Sequence, residues 1–183
     1  MKNRYVIYNC IAVRSDKTKI IRIIKIQSHF QVEDLAIALI ATSDSPGIIK
    51  EIEFETDGCG YTFDYSNPIY DGISFDELEE TNVKVTLVYE DNTKIKYGCV
   101  QVGEEITRNK ITRTTPIILA AMGMSRFTHD EYIINHKKQV EKYKALNLNP
   151  NYDGYYAVEN FEVSCAMNDL QRFFNMYKDD YYA

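Results

Sequence analysis

Asp57, Asp64 and Asp71 stand seven residues apart, and Glu90 and Asp91 follow in the next stretch of chain. Two or three convergent carboxylates can hold Mg²⁺ beside a basic cleft and hydrolyse a phosphodiester. Asp57, Asp71 and Asp91 also lie among turn formers, where an aspartate often bonds to its own backbone. Turn roles explain them as well as a metal site does. No catalytic or metal-ligating residue is therefore assigned, and no cofactor is expected. The four cysteines, Cys10, Cys59, Cys99 and Cys165, form no C-x-x-C pair. Zinc sites draw on closely spaced ligands. Cys10, Cys99 and Cys165 have apolar neighbours and are expected to be buried free thiols, while Cys59 sits between two glycines in a turn. His129 and His136 are seven apart, too far for the i, i+4 pair that grips a metal on one helix. No phosphate-binding glycine loop, nucleophile elbow or Cys-His pairing is visible.

Charge gives a stronger signal. The chain has 183 residues and a net charge of −6, which argues against simple nucleic-acid binding. The distribution is bipolar. Residues 1–27 carry seven Lys/Arg and one acid, and residues 106–146 carry eight bases and three acids. Residues 28–105 are strongly acidic. If the basic segments meet, they form a positive face suited to phosphate backbone. The candidate contacts are Arg4, Lys17, Lys19, Arg22, Arg108, Lys110 and Arg113. Tyr155 and Tyr156, in a loop, are candidate partner anchors, since tyrosine pairs a large apolar body with a polar tip. The acids Asp76, Glu77, Glu79, Glu80, Glu90, Asp91, Glu104 and Glu105 admit the opposite reading, a phosphate-like array facing a basic groove. A solvated face is the plainer account of either charge run.

These residues must be positioned by regular elements. Apolar residues make up 45% of the chain, enough for one core. Residues 4–14 and 19–27 predict a hairpin closed by Ser15 to Thr18. Gln31 to Thr42 predicts a helix, with Glu33 and Asp34 suited to its first turn. Ile48 to Glu55 alternates, Asp57-Gly58 signals a turn, and Tyr61, Phe63 and Tyr65 alternate on the return strand. Residues 83–89 and 93–102 predict another hairpin around Asp91-Asn92. Val83, Val85, Leu87 and Tyr89 share one face, and Ile95, Tyr97, Cys99, Val100 and Val102 are expected to fill the partner strand. Pro116 opens a short apolar run closed by Gly123. Thr128-His-Asp-Glu131 is a capping box that starts a helix to about Leu146. A last helix is expected from about 161–164 to Tyr177.

The expected class is α+β: a mostly antiparallel sheet of hairpins with one early helix and a helical C-terminal third. All 183 residues are expected in one domain, with a sheet-rich part at 1–105 carrying helix 31–42, and a basic segment with C-terminal helices at 106–183. No apolar run approaches the roughly 18–20 residues that span a bilayer. The opening residues lack the apolar stretch of a signal peptide. A cytoplasmic protein without a membrane role is expected.

Three local sequences carry a resemblance. Ile20-Ile-Arg-Ile-Ile-Lys-Ile26 followed by Gln31-Val-Glu-Asp-Leu35 resembles the opening of the plasmid pRiA4b ORF-3-like family, with Arg22 and Leu35 at matching positions. Tyr89 to Ile95 is similar to a shortened form of a later family strand. Pro116 to Gly123 resembles its P-x-x-L-x-G-x-G segment, with Ala121 for the first glycine. Phe161 and Asn168-Asp-Leu170 loosely echo its end. The resemblance implies a fold and an origin on plasmids or other mobile elements, without a defined activity. The Lys, Asn, Ile and Tyr-rich composition suits an AT-rich genome, and the small acidic format suits an inhibitor. The expected function is therefore a non-catalytic phage or plasmid interaction protein. It would bind a host nucleoprotein or its guide RNA and inhibit it, most concretely as an anti-CRISPR-type inhibitor of a Cas effector. The alternatives are a metal-dependent nuclease and a non-catalytic nucleic-acid-binding module. The sequence leaves the oligomeric state open.

Overall fold

The computed structural model describes residues 3–42, 49–56, 60–64, 73–78, 81–107, 115–123 and 128–145, with 163–164, 166–168, 170–172 and 174. Its elements in chain order are β1 (Asn3–Val13), β2 (Lys19–Gln27), α1 (Val32–Ala41), β3 (Ile49–Glu55), β4 (Gly60–Asp64), β5 (Asn82–Tyr89), β6 (Lys94–Thr107), β7 (Ile117–Met122) and α2 (His129–Ala145). Among the described residues the strands form one seven-stranded sheet in the order β4-β3-β5-β6-β1-β2-β7. Every neighbouring pair is antiparallel.

Two of the hairpins are closed by the same device. In the first, the Arg14 N–H donates to the Thr18 carbonyl at 2.9 Å and the Lys17 N–H to the Arg14 carbonyl at 3.0 Å. In the second, the Tyr89 N–H donates to the Thr93 carbonyl at 3.0 Å and the Asn92 N–H to the Tyr89 carbonyl at 2.8 Å. Asp16 Oδ1 accepts from the backbone N–H and hydroxyl of Thr18, and Asp91 Oδ1 does the same for Thr93. Lys17 and Asn92 occupy the left-handed region, at φ 70° and 61°. This is the three-residue hairpin loop, a tight turn followed by one left-handed residue, and the Asp-x-Thr sequence supplies its side-chain acceptor.

Alternation along the strands selects a core face and an open face. Val6, Tyr8, Cys10 and Ala12 of β1 are buried with Ile20, Ile24 and Ile26 of β2, Val83, Val85 and Leu87 of β5, and Ile95, Tyr97 and Cys99 of β6. α1 covers this face. Val32 through Leu39 are buried without interruption, as expected of a helix packed on more than one side. Asp34 Oδ2 accepts the Gln31 N–H at 3.0 Å and satisfies one donor at the helix start. The segment 73–78 lies against the same layer: the Phe75 N–H donates to the Phe30 carbonyl, and the Phe75 ring meets Tyr8 with centroids 5.3 Å apart. Leu170 and Phe174 join this core, and Phe174 stacks on Phe30 at 6.3 Å.

The expected α+β class with a helical C-terminal third is overturned. The protein is mostly an antiparallel sheet, and no helical third is seen among the described residues. The apolar run after Pro116 is not helical: β7 pairs antiparallel with β2 and closes one end of the sheet. Ile106 and Thr107, assigned to the basic segment, are the last residues of β6. A six-residue apolar run suits either period, and pairing with β2 decides it.

Three bulges interrupt the ladders. Val102 is the extra residue between the pairs Ile7–Gly103 and Tyr8–Gln101, Leu119 between Ile23–Ala120 and Ile24–Ile118, and Lys50 between Ile49–Tyr89 and Glu51–Val88. All three are exposed. Each bulge leaves its extra residue unpaired and bends the strand locally.

Candidate interaction surface

The basic residues of the N-terminal hairpin do not form one free cationic patch. Arg22, expected among the exposed bases, is buried. Its side chain has no exposed surface and donates to the carbonyls of Ile21 (2.8 Å), Met122 (2.9 Å), Gly123 (2.8 Å) and Thr42 (2.8 Å). Burial lowers the pKa of its guanidinium, with nearby Arg14 pushing the same way. Lys19, Arg22 and Lys25 are three apart, and on a strand of period two such residues fall on alternate faces. Arg22 lands in the core, so it contacts neither phosphate nor a partner. It ties β2, the end of β7 and the end of α1 together.

Arg4 is engaged in a fork with Glu104, at 2.6 and 3.3 Å, and reaches Asp76 at 3.2 Å. The hydrogen bond to Glu104 raises the Arg4 pKa, and Arg4 in turn lowers the Glu104 carboxyl. Lys25 pairs with Glu105 and lies 4.7 Å above the Tyr5 ring. Lys17 and Lys19 are exposed at the hairpin tip. Arg108, Lys110, Arg113, Tyr155 and Tyr156 lie outside the described residues.

The acids are likewise divided. Asp76, Glu104 and Glu105 are in ion pairs, Glu77 accepts from the backbone and hydroxyl of Ser74, and Asp91 serves its turn. Those five do not form an unpaired phosphate-like array. Asp57 and Asp71 lie outside the described residues, as does the side chain of Asp64. Among the described residues, no group of three His, Cys, Asp or Glu is placed to hold a metal ion. Cys10 and Cys99 are buried free thiols; Cys59 and Cys165 lie outside the described residues.

The surface that sequence reasoning missed is the open face of the sheet. Val100 and Val102, expected to fill the β6 core face, are 48% and 57% exposed. Val100 faces away from the core by alternation from buried Cys99, and Val102 is the bulge residue. Val13 and Met122 are 61% and 47% exposed. Half-buried Ile7, Ile11, Ile21 and Ile23 fill the area between them. The register sets Ile11 opposite Ile21 and Ile21 opposite Met122, so the apolar strip crosses β1, β2 and β7. Its neighbour on the same face is charged: Lys84 pairs with Glu55 and Lys94 with Glu53, both at 2.6 Å, beside exposed Lys96. The sequence signal was present, since β2 carries isoleucine and β1 carries apolar residues on both alternating sets, and one set must face outward.

The hairpin tip also meets α2. Ser15 Oγ donates to Glu131 Oε1 at 2.8 Å. Glu131 Oε2 accepts the Thr128 N–H at 2.9 Å, and Thr128 Oγ1 accepts the Glu131 N–H at 3.3 Å. This is the predicted capping box.

No family model and no curated protein matches the chain. The fold has a solved counterpart. The crystal structure of MM3350 from Methanosarcina mazei Go1, described as a protein of unknown function, superposes with a TM-score of 0.59. The match covers 89% of this chain and 97% of that one at 13% identity. At that identity the likeness shows the fold alone. No helix among the described residues is long and apolar enough to cross a membrane.

Proposed function

We propose that the protein works by binding a macromolecular partner through the open sheet face, and that the partner is a host nucleoprotein that it inhibits. The observation that supports this reading is the strip of Val13, Val100, Val102 and Met122, exposed beside a ladder of Lys–Glu pairs. An apolar centre with a polar border is the anatomy of a protein interface, and it offers little to a bare phosphate backbone. Lys17 and Lys19 at the hairpin tip, with Arg108, Lys110 and Arg113 from the sequence, supply the phosphate contacts that a nucleoprotein adds. The concrete form is a cytoplasmic inhibitor of a Cas effector carried by a phage or plasmid. The resemblance to the pRiA4b ORF-3-like family belongs to the same proposal.

The test is co-migration on a sizing column with a Cas effector–guide complex, set beside labelled RNA and DNA alone, in Mg²⁺ and in EDTA. Co-migration that is lost on Val100→Asp, in a variant that keeps its fold, is the expected result. Cleavage that needs Mg²⁺ replaces this reading with the nuclease. Salt-sensitive binding to bare nucleic acid replaces it with a nucleic-acid-binding module.

A further inference from the structure

Cys10 of β1 and Cys99 of β6 stand directly opposite each other in the ladder. The backbone bonds define what kind of pair this is. The Arg14 N–H bonds to Thr18 and the Ser28 N–H to Arg4, so the even-numbered residues of this part of β1 direct their peptide groups towards β2. The Gln101 N–H bonds to Thr81 and the Tyr89 N–H to Thr93, so the odd-numbered residues of β6 up to Gln101 direct theirs towards β5. Neither Cys10 nor Cys99 therefore presents a peptide group to the other. They are a non-hydrogen-bonded pair, whose Cα atoms ordinarily lie about 4.5 Å apart. Disulfides span Cα separations of about 4.4–6.8 Å. Both side chains are buried in the core and both are free thiols.

We propose that Cys10 and Cys99 are an oxidation site, a dithiol that closes into a disulfide between the two central strands by exchange with a small-molecule disulfide. One thiolate attacks a sulfur of the reagent, forms a mixed disulfide and expels the first reagent thiol. The second cysteine, as thiolate, attacks the protein-side sulfur and expels the other reagent thiol. The protein loses two protons and two electrons, and the reagent is reduced to two thiols. The backbone geometry is set before the reaction, because the register already holds the two residues opposite each other. Cys10 has no exposed surface and Cys99 only 1%. Burial raises the Cys99 thiol well above its ordinary pKa and holds it as the unreactive thiol. Oxidation therefore follows local opening of β1 from β6, and the link that forms constrains a long loop of the unfolded chain.

The experiment uses the full chain and oxidised glutathione as the probe. Samples are incubated in buffer and in urea just below the unfolding transition, then alkylated and mapped by mass spectrometry. The expected product has lost two hydrogens, joins the Cys10 and Cys99 peptides, and forms faster in the urea sample. Its urea midpoint rises above that of the reduced protein and returns on addition of dithiothreitol. Cys59→Ala with Cys165→Ala keeps the product, and Cys10→Ala abolishes it. Links from Cys10 or Cys99 to Cys59 or Cys165, stalled glutathione adducts at either position, or two free thiols after the urea incubation would each overturn the proposal.

Discussion

Arg22 Nη2 donates to the Thr42 carbonyl at 2.8 Å, joining the middle of β2 to the residue that ends α1. The other terminal nitrogen holds Ile21, Met122 and Gly123. Truncation would strand several buried carbonyls at once. Hydrogen bonds to a charged group contribute about 1.5–3 kcal/mol each, so Arg22→Ala is expected to cost about 3 kcal/mol or more. Arg22→Lys is expected to recover only part of this, because one ammonium cannot span the same fork of acceptors. Urea denaturation of the three proteins checks it; a loss below about 1 kcal/mol for the alanine variant, within surface-substitution range, would refute the role.

Gly123 is the companion of that node. Its φ is +72°, and a Cβ there would stand 2.7 Å from both Arg14 Nη2 and the Lys19 carbonyl oxygen. Gly123→Ala is expected to be destabilising by more than the ordinary left-handed penalty of about 1–2 kcal/mol. Thermal melts of this variant beside Gly98→Ala provide the comparison, since a Cβ at Gly98 meets nothing within 4 Å.

Lys17 and Asn92 hold the same left-handed place in two loops of the same design. Glycine removes the steric cost there, and asparagine already tolerates it better than lysine. Lys17→Gly should raise stability by up to about 1 kcal/mol, and Asn92→Gly by less. Equal gains, or a loss at Lys17, would show that the loops differ.

The capping box of α2 gives a pH dependence. The Glu131 carboxyl lies below its ordinary pKa, first because it accepts the Thr128 N–H and then through Ser15. A depressed folded-state pKa stabilises above the unfolded value, about 4.3 for glutamate, and the contribution is lost as pH falls through the folded value. Amide exchange at Thr128 should therefore speed up, relative to intrinsic rates, as the solution is taken below about pH 4, where glutamate ordinarily protonates. Glu131→Gln should remove that step; an unchanged profile in the variant would place its origin elsewhere.

The two faces of β5 and β6 predict opposite mutational responses. Leu87, fully buried, should cost about 2–5 kcal/mol on change to alanine. Val100→Ser should stay within about 0.5 kcal/mol, as exposed positions do. A large loss at Val100 would mean that this face is covered in the folded protein.

Strand positions were legible where one face only is apolar. The β5 run Val83, Val85, Leu87 and Tyr89 announced both its period and its buried side. The Asp-x-Thr loops and the Thr128 capping box were legible because turn chemistry is local. Arg22 was not, because a charge is read as surface until the register shows which side of the strand it occupies. Val100 and Val102 were not, because a valine is read as core until alternation from a buried neighbour such as Cys99 is followed along the strand. The order of strands was also hidden, since β1 lies beside β6 rather than only beside its hairpin partner. Ile117–Met122 was not legible as a strand for the same reason: its short apolar run takes its conformation from β2, far away in sequence.

The place of β1 bears on how the chain is made. Synthesis delivers β1 and β2 before the other described strands, yet β1 gains its other neighbour only when β6 is complete at Thr107, and β2 only when β7 is complete at Met122. Until then the nascent hairpin has two bare edges and an isoleucine-rich surface. Such edges invite pairing with other chains, and long-range pairing is slow. The ribosome-bound fragment is therefore the species most in need of a chaperone. A chain stopped after Tyr89 should pellet when the full chain stays in solution.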